Sequence, residues 1–382
     1  MKHATLVILT LVLVFAVPFA RADWSASRRL TWNSGLSWDP AIAVDSSGAV
    51  HVVWYDNSPG NWEIYYKKST NGGAAWSAIK RLTWTAGDSY SPAISANSAG
   101  EVCVVWNDDT PGTDEIYYRH STDEGDTWTA AKRLTWDSMT ANAPDIASDS
   151  PGYVHVVWYD FTDGNTEIFH KKSTNGGETW GTARRLTWTD GSSFGPIIAA
   201  EGSGIFDLFL YDNAPGNFEI YHKRSLDSGA TWTANRRLTW TDGGSGPASS
   251  AIDSSGDLHL VWQDDTPGNR EIYHKRSTDG GVTWTTNHRL TWTSGNSMAP
   301  SLVADSSDNL HAVWDDKSSG HEEIYYKTST DGGTTWSANK RLTWTSMSRR
   351  TEIAIGSSDS LHVVWEQAVP SGYEIFYKKF TE

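Results

Sequence analysis

Short apolar runs rich in Val and aromatic residues recur along the chain, each closed by Gly, Pro, Asn or Asp, and no helical period persists anywhere. One stretch shows the pattern in full. Pro40 to Val44 is a brief apolar run, and Asp45-Ser-Ser-Gly48 turns the chain. Val50 to Tyr55 follows, then Asn57-Ser-Pro-Gly60, then Glu63 to Lys68. A Gly-rich turn at Asn71-Gly72-Gly73 leads to a last run, Lys80 to Trp84. Turn residues bound every run, which predicts four short antiparallel strands.

The same unit returns along the chain. Arg-Leu-Thr-Trp ends at Trp32, Trp84, Trp136, Trp188, Trp240, Trp292 and Trp344, always 52 residues apart. A second series is Trp24, Trp76, Trp128, Trp180, Trp232, Trp284 and Trp336. A third is Trp54, Trp106, Trp158, Trp262, Trp314 and Trp365, with Leu210 in the vacant place. Of the 22 Trp, only Trp38 and Trp62 stand outside these series. Seven four-stranded units predict an all-β fold, a seven-bladed β-propeller, with a linear solenoid as the alternative. The ends favour the ring. Asp23 to Trp32 holds only a fourth strand and the last unit stops after its third, so the first strand can complete the last blade and remove the open edge.

Residues Met1 to Ala22 read as a secretory signal peptide: Lys2 and His3, an apolar stretch from Leu6 to Phe19, and Ala20-Arg21-Ala22 as cleavage site. The apolar run is short for a membrane anchor. The expected organisation is a leader at 1–22 and one propeller at 23–382, exported to the extracellular space or periplasm.

The turn between third and fourth strands reads Ser-x-Asp-x-Gly-x-x-Trp, as in Ser121-Thr-Asp123-Glu-Gly125-Asp-Thr-Trp128. Asp227, Asp279 and Asp331 repeat it, and Asn71 and Asn175 replace the Asp in two further copies. This resembles the Asp-box, or BNR repeat, of sialidase-like β-propellers, across essentially the whole mature chain. In that family the box is structural and lies opposite the active site. A short Asp or Asn accepting backbone N–H groups, Gly at positive φ and Trp between blades fit the same role. A calcium loop would need more acidic ligands than the turn carries.

A sialidase of that family would need an Arg triad, a Tyr nucleophile polarised by Glu, and an Asp acid/base. Its Arg-Ile-Pro motif is absent here. Bidentate carboxylate recognition requires Arg, and the Arg that break the repeat, Arg270, Arg349 and Arg350, come from two units only. The resemblance therefore implies the fold and assigns no catalytic residue.

Symmetry separates scaffold from site. Glu63, Glu115, Glu167, Glu219, Glu271, Glu323 and Glu374 recur in every unit. Equivalent carboxylates cannot divide acid and base roles, so they read as structural. His51, His155, His259, His311 and His362, with Cys103 and Asp207 in the remaining places, sit on second strands, too far from the axis to share one ion. No metal and no cofactor is expected.

The loops before strand one carry Trp38, Tyr90, Asn142, Phe194, Gly246, Met298 and Arg350; those joining strands two and three carry Trp62, Asp114, Thr166, Phe218, Arg270, Glu322 and Tyr373. Exposed aromatics beside polar side chains suit a sugar, whose C–H face stacks on a ring. Trp38, Trp62, Tyr90 and Tyr373 are the candidate glycan site, with Arg270, Arg350, Phe194 and Phe218 as further candidates. The alternative is that these rings only plug the mouth.

Composition narrows the partners. A formal charge of −15 opposes nucleic acid and anionic lipid. A single Cys leaves stability to a packed core. The expectation is a monomeric, exported binding protein for a glycan or other extracellular polymer. A sialidase-like glycoside hydrolase and a protein-interaction scaffold are the alternatives.

Overall fold

A computed structural model describes residues 23–136, 140–149, 152–162, 164–202, 204–344, 347–356 and 358–381; the leader read at 1–22 lies outside them. Every described element is a strand. In blade 1 these are Ser37–Val44, Val50–Asp56, Glu63–Ser69 and Lys80–Arg81, antiparallel and in chain order from the axis outward. The second strand is buried along its whole length because neighbouring blades cover both faces. The outer strand is shorter than its apolar pattern suggests: only Lys80 and Arg81 pair, with Tyr66 and Tyr65.

The inner strands of blades 2 to 7 are Ser89–Ala96, Ala141–Ser148, Ser193–Gly202, Ser245–Ile252, Ser297–Ala304 and Ser348–Ile355. Each packs on the next, and the seventh packs on the first, which closes the ring. Blade 7 continues with Leu361–Val369 and Gly372–Thr381, and its outer edge is Asp23–Trp24 and Arg28–Arg29. Asp23 pairs with Thr381 and Arg29 with Phe376, so the first and last described strands share one sheet.

Core clusters form between blades. Leu30, Ile42, Val52, Trp54 and Ile375 bring blades 7 and 1 together. The third-series Trp, such as Trp54, Trp106 and Trp158, are fully buried. Polar ties cross the same seams. Lys67 Nζ donates to the Leu30 carbonyl at 2.8 Å, and Lys80 Nζ to the Gly125 carbonyl at 3.0 Å.

The Asp-box explains its own sequence. Asp123 Oδ1 accepts the Thr127 N–H at 2.7 Å, while Ser121 Oγ accepts the Gly125 N–H at 2.8 Å. Hydrogen bonds from Thr231 hold the Asp227 carboxyl at about 2, below the usual carboxylate range. Trp128 meets Tyr66 of the preceding blade edge-on, with ring centres 5.1 Å apart.

The Glu series is equally local. Arg81 Nη2 donates to Glu63 Oε1 at 2.7 Å and Arg185 Nη2 to Glu167 at 2.8 Å, each Glu being buried. The His series is buried and bonded across to the third strand: His51 Nδ1 lies 2.7 Å from the Tyr66 hydroxyl, and His155 Nδ1 lies 3.0 Å from His170 Nε2.

Candidate functional site

The two loop sets share one face, since the Ser89 N–H donates to the Trp62 carbonyl at 2.7 Å. Where each inner strand begins it bulges. Trp38 pairs with Tyr55, and the ladder resumes only at Ala41 with Val53. Asp39, in the bulge, has φ 54°, and Ser91, Ala143, Ala299 and Arg350 hold the same left-handed backbone in their blades. The bulge turns Asp39 and Arg350 towards the axis, where they line a cavity of about 400 Å³ with Asp145, Thr351 and Glu352.

Beside this cavity the aromatic candidates meet. Trp38 and Trp62 stack with ring centres 5.1 Å apart, and Tyr373 stands edge-on to Trp38 at 6.1 Å. Tyr55 joins the group, 4.9 Å from Trp62 and 6.5 Å from Tyr90. The rings are half-buried rather than freely exposed, because they stack on one another and on the core around Ala41 and Ile64. Tyr90 is also held from below, its hydroxyl donating to Asp114 Oδ1 at 2.5 Å.

A charged cluster adjoins the rings. Arg350 Nη1 lies 2.9 Å from Asp39 Oδ1, and Arg349 Nε donates to Glu366 Oε1 at 2.6 Å. The Arg349 guanidinium sits over the Tyr373 ring at 4.7 Å. Burial pushes the Tyr55 phenol up to about 12, although Arg350 hydrogen-bonds to it. Burial likewise raises the Glu352 carboxyl to about 8 and Asp145 to about 6, and it holds Asp315 well above the carboxylate range.

Arg349, not Arg350, occupies the place equivalent to Trp38, for it pairs with Glu366 as Trp38 pairs with Tyr55. The seventh unit is one residue shorter than the others between Trp344 and Ser348, and that shift misaligns a count made at constant spacing. Both Arg lie on the inner strand rather than in a loop. Arg270 stands apart from them, exposed, its Nη1 directed at Met298 Sδ at 3.5 Å. Phe194 and Phe218 form a separate group three blades away, 6.0 Å from each other and packed with Tyr159 and Tyr211.

The second-strand series Tyr55, Asn107, Tyr159, Tyr211, Gln263, Asp315 and Glu366 escaped the sequence reading. Its members vary between blades and face the other variable positions, so aligning the residue after each third-series Trp reveals them. Glu352 and Asp145 were also passed over; each is an acidic residue at the inner-strand place that holds Ala41, Ala93, Ile197, Ser249 and Ser301 in the other blades. Among the described residues, no group of three His, Cys, Asp or Glu is placed to hold a metal ion.

The BNR repeat-like domain family matches residues 160–360. No curated protein matches the chain in sequence. An ulvan polysaccharide lyase bound to -[GlcA(1-4)Rha3S]- superposes with TM-score 0.68 at 11% identity, covering 91% of this chain and 95% of its own. The intramolecular trans-sialidase of Ruminococcus gnavus gives 0.53 at 14% identity, over 90% and 94%. The Penicillium chrysogenum α-L-arabinanase gives 0.54 at 15%, over 76% and 92%. At these identities the likeness is one of fold.

Proposed function

The chain belongs to the BNR repeat-like domain family, and from that premise we propose that it is an exported carbohydrate-binding propeller whose ligand sits at the channel mouth between blades 7 and 1. One observation carries the reading: Trp38, Trp62, Tyr90 and Tyr373 converge beside Asp39, Arg349 and Arg350 at the lip of the axial cavity. Indole and phenol faces take the apolar side of a sugar ring, and the carboxylate and guanidinium groups take its hydroxyls. Neighbours of the same fold that process or carry glycans support this class of ligand. The leader at 1–22 supports export.

A glycan array probed with residues 23–382 identifies the ligand. The double variant Trp38→Ala/Trp62→Ala abolishes that binding, while stability falls by about 2–4 kcal/mol, because two half-buried rings are removed. Unchanged binding discards the site.

The cluster of Tyr55, Asp39, Arg350 and Glu366 favours a second reading, a glycan-cleaving enzyme, since it places a part-exposed and a buried carboxyl group beside a phenol. Incubation with fluorogenic sialosides and arabinosides and with uronate-containing polymers tests it. Turnover that disappears in Glu366→Gln assigns catalysis to the mouth, and no turnover leaves the binding reading.

A further inference from the structure

The Arg-Leu-Thr-Trp repeat places its four residues in two different environments. Leu30 and Thr31 are buried, yet Trp32 is 64% exposed, and the equivalent Trp84, Trp136, Trp188, Trp240, Trp292 and Trp344 lie between 65% and 69%. Core formation does not account for a ring of seven indoles left in water, when the third-series Trp of the same fold are buried. A residue can therefore be shared by every unit without serving the blade interior.

Each indole is held in place. The Arg three residues before each Trp, Arg81 for Trp84, donates its Nε to the Thr83 carbonyl and its Nη2 to Glu63, and its guanidinium lies 5.7 Å from the Trp84 ring centre. Across the seven copies this spacing is 5.5–6.0 Å. A third-strand cation of the next blade also approaches, as Lys171 approaches Trp136 at 4.9 Å. With this support in place, about two-thirds of each residue's surface remains exposed.

We propose that these seven tryptophans are a second, repeated set of glycan sites, one per blade, each stacking a neutral pyranose of an oligosaccharide or polysaccharide. Two observations select that ligand. The nearby cations are already committed, Arg81 to Glu63 and Lys67 to the Leu30 carbonyl, and the chain's charge of −15 disfavours a polyanion. A cavity of about 1140 Å³ lies along one of these seams rather than at the mouth. Trp240 forms part of its wall, with Asn235, Arg236 and Lys275 as polar groups and the exposed Leu226 and Val282 as apolar ones. It exceeds the about 300–1,000 Å³ usual for a drug-sized ligand, which leaves room for several sugar units.

The set extends the glycan-binding reading but uses different residues, so the two stand or fall separately. Native mass spectrometry of residues 23–382 with cellohexaose, chitohexaose, xylohexaose and mannohexaose counts bound sugars directly. One of these probes is expected to fill sites beyond the mouth, up to seven more, and Trp38→Ala/Trp62→Ala leaves those occupancies intact. Trp240→Ala lowers the maximum by one. Replacing all seven indoles by Ala removes the rim occupancies and weakens retention on the matching immobilised polysaccharide by at least about a hundredfold. Each ring gives up its contact with the Arg beneath it, so should the sevenfold variant not fold, Trp240→Ala and Trp84→Ala singly carry the test. Occupancy confined to one site, or a count unmoved by Trp240→Ala, overturns the proposal. Flotation with phosphatidylcholine vesicles that depends on the seven indoles overturns it in favour of a lipid surface.

Discussion

Arg29 Nη2 donates to Glu374 Oε1 at 2.6 Å, joining the first strand of the chain to the last. The geometry repeats that of Arg185 with Glu167, a pair made within a single blade.

Arg29→Ala strands a buried carboxylate and, with the Arg partly exposed, costs about 2–4 kcal/mol. Arg185→Ala costs the same within about 1 kcal/mol if the closing blade is as well formed as the others. Urea denaturation of both variants makes the comparison, and a negligible cost at Arg29 alone means the ends are not paired.

The buried histidines oppose folding in acid. Burial depresses His155 to about 3 and His362 to about 4, and it lowers His259 as well, against an ordinary value of 6.5. The unfolded chain takes up protons below 6.5 that the folded one refuses, so their contribution is present above 6.5 and is lost as pH falls towards about 3. Glu352 works in the opposite sense: raised to about 8, it favours the fold below 4.5 and loses that contribution as pH rises through 8. Calorimetric midpoints measured at pH 7 and pH 4 should show His362→Asn gaining relative to the unaltered protein as pH falls.

Cys103 is buried, lies 3.2 Å from the Tyr118 hydroxyl, and has its thiol pushed up to about 12 by burial. Native protein should resist Ellman's reagent over hours and react fully once unfolded. Rapid modification of folded protein would contradict the packing at this seam.

Gly125 has φ 82°, and a Cβ there would fall 2.0 Å from the Tyr66 hydroxyl of the preceding blade. Gly125→Ala combines backbone strain with that clash and costs about 2–4 kcal/mol. Gly112, at φ 99° with open space around it, provides the control, and its Ala variant costs only the backbone term, about 1 kcal/mol. Thermal melts of the two separate the contributions.

The ring, the strand order and the closure were legible because a 52-residue spacing repeats chemistry as well as length. The site was legible in part. Trp38 and Trp62 stood out by failing to repeat, and they stack. Tyr55 did not stand out, because Tyr159 and Tyr211 share its place. Arg349 was displaced by one position because constant spacing fails after Trp344. The exposed indoles were hidden by the same symmetry that revealed the fold: a repeated Trp looks like core until burial separates Trp84 from Trp106.

The pairing of Asp23 with Thr381 also fixes the order in which the molecule can be finished. The strand at Asp23–Trp24 has no partner until the strand at Gly372–Thr381 has emerged. Six blades can assemble locally, while the seventh waits for a contact of nearly maximal sequence separation, a slow step of the kind high contact order imposes. A chain stopped short of Gly372 would carry an orphaned leading strand and an unsealed sheet edge, and quality-control proteases would meet it as an incomplete ring.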